Sequence, residues 1–173
     1  MELMETKKYF LRPGKAAVKQ SYYLLDENEN TVCEANILKM PVFGAADVEF
    51  INHITGQTSM HKVVHTVTTE STGLFGGGAL FAKSHFKYDG EKIWDYLHDQ
   101  GIRIDTGLQG GKLGTSYTVT LKGEPIATID TASVGGSFIT TKFALDVTTS
   151  EEYLDWAFLI AWSIARTDQT ILQ

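Results

Sequence analysis

The chain has little cysteine, little positive charge and no long apolar run, and each shortage excludes a class of protein. Cys33 is the only cysteine in 173 residues, so neither an intramolecular disulfide nor a metal cluster of thiolates can form. A transmembrane helix needs about 20 consecutive apolar residues, and no such stretch is present. What remains is a single domain, residues 1–173, that is stabilised by an apolar core.

Basic residues are outnumbered by acidic ones. There are 15 lysine and arginine residues against 21 aspartate and glutamate residues, which gives a net charge of -6. A general nucleic-acid binder needs positive charge to neutralise phosphates, so we expect no nucleic-acid partner. Residues 1–8 are charged and lack the apolar segment of a secretory signal, which predicts a cytoplasmic location.

Residues 153–165 constrain the fold more than any other segment. They predict a helix whose apolar side chains cover every face, within a core helix at about residues 150–166. Its 13 residues rise roughly 20 Å, too little for a bilayer core of roughly 30 Å. We therefore expect a helix that is buried inside the protein, without a transmembrane segment.

Polar residues mark the start of this helix. Thr149 and Glu152 match the Thr-x-x-Glu pattern of a capping box. Asp155 falls in the first turn, where the helix dipole favours a carboxylate. The alternative is a perturbed carboxylate with a functional role, because a charge in an apolar helix is costly unless it is paired.

Most of the remaining chain alternates between apolar and polar residues, which predicts strands. A short helix is expected near residues 91–99, with Asp89 as its N-cap and Gly101 as its C-terminal stop. Glycine-rich loops are expected at residues 73–78 and 106–114. The predicted strands are residues 7–12, 18–26, 31–37, 48–53, 58–69, 84–88, 102–105, 116–121, 125–130 and 137–147.

An apolar helix that follows many short strands predicts a mostly β fold, in which a closed antiparallel β-barrel of about 9–12 strands encloses the C-terminal helix. This pattern resembles the tubby C-terminal fold, which the phospholipid scramblases and the plant LURP-one-related proteins share. The hairpin of residues 22–35 is similar to the early strand pair of these barrels. Residues 84–101 resemble the strand and short helix of small bacterial members.

The resemblance implies a non-enzymatic binding or scaffold module. Tubby binds phosphoinositides through basic residues of its barrel, so the resemblance implies an anionic membrane lipid as partner, without assigning that role to particular positions. Scramblases carry a cysteine cluster for acylation that this chain lacks, so scramblase activity is not expected.

The basic N-terminal run is the best candidate for such a lipid-binding surface. Basic and aromatic residues are interleaved there, which suits lipid headgroups or phosphates. Alternatively, basic residues on a strand serve only solubility and the protection of a sheet edge. The candidate lipid- or phosphate-binding residues are Lys7, Lys8, Arg12, Lys15 and Lys19.

No pattern predicts an enzyme, a metal site or a cofactor. His61 and His65 lie about 13 Å apart if they belong to one strand, too far to share a metal ion. Thr106 and Leu113 break the pattern of a phosphate-binding loop. Cys33 has no neighbouring base and is expected to be a small buried apolar residue of a strand.

Two functional hypotheses follow from these observations, and an enzyme is the third and least favoured. The first is a non-enzymatic module of tubby-like fold that recognises anionic lipid through its basic run. The second is a small-molecule or peptide-binding barrel that holds its ligand between the two glycine-rich loops. Exposed edge strands allow a homodimer without requiring one.

Overall fold

The computed structural model describes residues 5–13, 21–37, 45–71, 80–89, 91–108, 115–133 and 140–166. Within these ranges the chain forms eleven strands, two α-helices and one 3-10 turn. The helices are α1 (Ile93–Asp99) and α2 (Leu154–Arg166), and the 3-10 turn (Glu151–Tyr153) leads into α2. The strands are β1 (Lys7–Pro13), β2 (Ser21–Leu25), β3 (Thr31–Ile37), β4 (Ala45–Asn52), β5 (Thr58–Ser71), β6 (Leu80–Tyr88), β7 (Glu91–Lys92), β8 (Ile102–Leu108), β9 (Thr115–Leu121), β10 (Glu124–Ser133) and β11 (Thr140–Thr149).

The strands form one antiparallel sheet that runs as a meander. Strands that are consecutive in sequence lie side by side from β1 to β7 and from β8 to β11. The β1–β11 pair joins the two halves, with Lys7 opposite Thr149 and Leu11 opposite Leu145. The prediction of a mostly β, antiparallel protein with a C-terminal helix and one short helix is confirmed.

The two edges of the sheet, β7 and β8, are connected in sequence by α1. No strand pairing joins these edges in the part of the chain that the structure describes, so the predicted closure of the barrel is not confirmed. β7 has only two residues and offers few backbone groups for pairing. α1 contacts β6, β7 and β8 and buries Ile93 and Leu97.

Helix α2 is the centre of the core, because residues 157–165 are all buried. It packs against β1, β10 and β11. Phe158 and Trp162 also contact Phe50 of β4, with ring centroids 6.0 and 5.0 Å apart. Three strands separate β4 from β11, so the sheet curves around the helix. The prediction of a buried core helix is confirmed.

Only the first turn of α2 leaves the core. Leu154 is buried, but Asp155 is exposed and Trp156 is half-buried. The first turn is therefore the part of the helix that is open to other groups.

Within the described ranges, neither helix is long and apolar enough to cross a bilayer.

The predicted capping box at α2 is wrong. Thr149 is the last residue of β11 and is buried, and its hydroxyl donates a hydrogen bond to the Ile126 carbonyl oxygen at 2.8 Å. Ser150 takes the N-cap position of the 3-10 turn without a side-chain hydrogen bond. A buried hydroxyl needs a partner, and the neighbouring strand supplies one to Thr149.

Asp89 is not the N-cap of α1 either. The helix begins at Ile93 with Lys92 as its N-cap, because residues predicted to be helical form β7 instead. Asp89 adopts φ 51° and hydrogen-bonds back to Lys62 of β5. Gly101, at φ 88°, follows the last turn of α1 as predicted.

Every predicted strand overlaps an observed one. The glycine-rich loop at residues 73–78 lies outside the described residues. Of the second predicted loop, residues 106–108 belong to β8, and residues 109–114 also lie outside the described ranges.

The burial of α2 predicts a large cost for truncating its side chains. Ile160 is fully buried, so we expect Ile160→Ala to lower the free energy of unfolding by about 2–5 kcal/mol in chemical denaturation. Ile54→Ala is the matched control, because Ile54 is 45% exposed, and its effect should stay within about 0.5 kcal/mol. Equal effects of the two substitutions would contradict the central position of α2.

Candidate functional site

The predicted basic surface is paired with carboxylates wherever the structure describes it. Lys7 Nζ lies 3.1 Å from Glu151 Oε1. Lys8 Nζ and Arg12 Nη2 lie 3.8 and 3.4 Å from the two carboxylate oxygens of Asp146. The hydrogen bond to Glu151 raises the pKa of Lys7, and the negative charge of Glu151 raises it further to a smaller extent. These pairs reduce the positive potential that an anionic headgroup would meet.

The described basic residues also face different directions. Lys7 shares the inward row of β1 with the buried Tyr9. Lys8 and Arg12 belong to the opposite row, where they flank the Phe10 ring at 5.6 and 5.3 Å from its centroid. The three side chains therefore leave β1 on two faces, although Lys7 and Lys8 both border one cleft beside the β2–β3 turn. Outside the described residues lie the two remaining candidates, Lys15 and Lys19.

A cavity of about 490 Å³ opens between the β4–β5 hairpin and the first turns of α2. Its volume lies within the range of small-molecule sites, roughly 300–1,000 Å³. Tyr88, at the end of β6, forms part of its wall. The full lining consists of Phe50, Ile51, Asn52, Gln57, Thr58, Ser59, His61, Tyr88, Asp155, Trp156, Phe158 and Leu159.

Phe50 is the centre of an aromatic cluster in this wall. Its ring meets the rings of Phe158 and Tyr88 edge-to-face, at 6.0 and 6.5 Å between centroids. The His61 ring meets it in the same way at 5.7 Å. Such contacts each contribute about 0.5–1.5 kcal/mol beyond the burial of the rings, so they fix the rings that line the cavity.

Asn52 connects the β4–β5 hairpin to the start of α2. Its buried side chain accepts hydrogen bonds at Oδ1 from the N–H groups of Ile54 and Thr55, at 2.9 and 3.2 Å. Its Nδ2 donates to Asp155 Oδ1 at 2.8 Å. Because the two backbone donors require an oxygen, the amide nitrogen must face the carboxylate. Asn52 therefore holds Asp155 at the mouth of the cavity.

Cys33 is buried in β3, near enough to Asp155 to interact with its charge. Burial, and to a smaller extent the Asp155 carboxylate, raises the pKa of the Cys33 thiol to about 12. A thiol with this pKa is protonated at neutral pH and is a poor nucleophile. The prediction that Cys33 is a small buried strand residue is confirmed.

Besides its contact with Phe50, three contacts fix His61 in the cavity wall. Its Nδ1 lies 2.8 Å from Asp89 Oδ2, and its Nε2 lies 3.1 Å from Ser59 Oγ. Its ring stacks on Tyr88 at 4.5 Å between centroids. Burial raises the pKa of Asp89, but hydrogen bonds from His61 and the Lys62 N–H, with the His61 charge, outweigh it and lower the pKa.

The sequence of contacts from Asp89 through His61 to Ser59 is that of the triad of serine hydrolases. In that triad the carboxylate is buried, whereas the Asp89 side chain is 50% exposed. Ser59 and His61 line the cavity, whereas Asp89 binds the His61 ring from outside the lining.

No family model matches the chain, and no curated protein matches it. Within the described ranges, no group of three or more His, Cys, Asp or Glu side chains is placed to hold a metal ion. The function is therefore argued from the cavity and its polar groups.

Of the lining residues, Asp155 and His61 stand out chemically in the sequence, but no sequence pattern places either of them in a cavity. Asp155 stands out as a charge in an apolar helix. Asn52 and Phe50 carry no local signal, because their roles depend on β4 lying beside α2. That long-range contact appears only in the folded chain.

The Asp89–His61 contact predicts a pH-dependent contribution to stability. Asn tolerates positive φ, so Asp89→Asn removes the charge with little backbone strain. Because the carboxylate is half exposed, we expect this substitution to lower the free energy of unfolding by only about 0.5–1 kcal/mol near neutral pH. Chemical denaturation of both proteins across acidic pH measures it.

The sign of this pH dependence follows from the lowered pKa of Asp89. Its contribution is fully present above the unfolded pKa of about 3.9 and is lost as the pH falls through the folded value. The difference in the free energy of unfolding between the native protein and Asp89→Asn should therefore shrink below about pH 4. Asp105→Asn, an exposed strand position, is the control. A difference that grows on acidification would contradict the interpretation.

Burial of Cys33 predicts an unreactive thiol in the folded protein. Because its pKa is raised to about 12, the thiolate is scarce at mildly alkaline pH, and the sulfur is also inaccessible. We expect no reaction with Ellman's reagent over the time that a free thiol needs, and one equivalent of reaction after unfolding in guanidinium chloride. Rapid labelling of the native protein would show that β3 is open to solvent.

Proposed function

We propose that the protein is a non-enzymatic, small-molecule-binding module of tubby-like architecture. The observation that carries the proposal is the cavity of about 490 Å³ beside the start of α2. It combines an aromatic wall with a few fixed polar groups, which is typical of sites for small ligands. The ligand position differs from the one predicted between the glycine-rich loops, because the cavity lies at the β4–β5 hairpin.

The tubby-like assignment is supported by the order of the elements. An eleven-stranded meander curves around a buried C-terminal helix, and both of its edges meet at α1. We propose that α1 completes the wall between β7 and β8, so that the whole forms a barrel around α2. A cytoplasmic location and a homodimer stay predictions from the sequence.

Recognition of anionic lipid by the basic run also stays a prediction, with weaker support. Phosphate would have to compete with Glu151 for Lys7 and with Asp146 for both Lys8 and Arg12. The cavity requires no such exchange, because its lining is already open to a ligand of moderate size.

Titration with N-phenylnaphthylamine, a neutral aromatic dye whose fluorescence rises in apolar surroundings, tests the proposal. We expect saturable binding to the native protein and at least about tenfold weaker binding to Thr58→Trp, because the indole would fill space at the cavity wall. Thr128→Trp is the matched control, since Thr128 is also an exposed strand threonine but lies on β10.

The control variant should bind the dye as the native protein does. Unchanged binding to Thr58→Trp would place the dye elsewhere and contradict the proposed site. Absence of saturable binding to the native protein would contradict the function itself.

A further inference from the structure

We infer that the cavity selects a small organic cation of the ammonium class. The inference rests on the proposed function and specifies its ligand. Two features of the lining carry it: a fixed carboxylate at the mouth and aromatic rings along the wall.

The charge of the site favours a cation. Lysine and arginine are absent from the described residues that line the cavity, whereas Asp155 is among them. The other ionisable side chains among these described lining residues are Tyr88 and His61. His61 is paired with Asp89. Together, the carboxylates of Asp155 and Asp89 and the His61 imidazole carry a net negative charge, whether or not His61 is protonated. An anionic ligand would therefore be repelled, and a cation attracted.

Aromatic rings provide the second attraction. Phe50 and Trp156 are partly buried rings of the lining, and a cation within about 6 Å of a ring face interacts favourably with its quadrupole. Asp155 and Trp156 both line the cavity from the first turn of α2, so the site has a carboxylate and an indole. This combination suits an alkylated ammonium group better than a metal ion, which prefers several oxygen ligands.

The carboxylate is held in place before any ligand arrives. Asn52 donates to one Asp155 oxygen, and the backbone donors of the hairpin fix the Asn52 amide in turn. A carboxylate that is free in water gains little from a single cation. Placed beside a cavity wall of low polarity, the same charge interacts more strongly.

The test compares choline with dimethylbutanol, its neutral isostere, in which carbon replaces the quaternary nitrogen. Titration monitored by calorimetry or protein NMR should show about tenfold tighter binding of choline to the native protein. Asp155→Asn keeps an oxygen for the Asn52 hydrogen bond but removes the charge. It should bring the two affinities to within about threefold of each other.

Asp95→Asn is the matched control, because Asp95 is also an exposed carboxylate in the first turn of a helix, α1. It should keep the preference for choline. N-phenylnaphthylamine, which is uncharged, should bind the native protein and Asp95→Asn alike, and saturable binding of the dye to Asp155→Asn, at whatever affinity, shows that this variant retains the cavity.

Three results would overturn the inference. They are equal affinities of the native protein for choline and its isostere, a preference that survives Asp155→Asn, and failure of choline to bind a protein that binds the dye. In each of these cases dye binding leaves the proposed function intact. If the dye also fails to bind the native protein, the proposed function and the inference fall together.

Discussion

A helix without a polar face must be covered on every side, and this requirement organises the molecule. Burial of side chains such as Phe158, Ile160 and Trp162 contributes about 1.5–3 kcal/mol each, against a net stability of only about 5–15 kcal/mol for a domain. Strands provide the cover, since β1, β10 and β11 pack on α2 and Phe50 reaches it from β4. Curvature of the sheet is the consequence of one helix being contacted by strands that lie well apart in the sheet.

The cavity arises where this cover ends. The first turn of α2 carries the helix's one carboxylate, and the β4–β5 hairpin reaches it through Asn52. Some aromatic residues pack in the core and also border the cavity, as Phe50 and Phe158 do. Core packing and the ligand site therefore share residues, so a substitution at Phe50 would affect stability and binding together.

Local patterns predict the elements of this fold well and its interactions poorly. Strand β3 and the apolar helix follow directly from side-chain periodicity, and Gly101 follows from the need for positive φ after a helix. The predictions that Thr149 and Asp89 cap helices are wrong, because each residue has a hydrogen-bond partner on another strand, far away in sequence. β7 is too short, at two residues, to show any period.

The site is less predictable for the same physical reason. Its shape depends on β4, β5, β6 and α2 converging, and no local pattern encodes that convergence. The unusual position of Asp155 is visible in the sequence, because a charge among apolar neighbours is costly. Its partner Asn52 is an ordinary residue at the end of a strand until the fold brings the two together at 2.8 Å.

The order of elements along the chain has a consequence for biosynthesis. The helix on which the strands pack comes after all eleven of them, and the β1–β11 ladder pairs Lys7 with Thr149. While the strands leave the ribosome, their apolar faces have no helix to cover, and such long-range pairing is slow to form. We therefore expect the nascent chain to be prone to aggregation until α2 has been made.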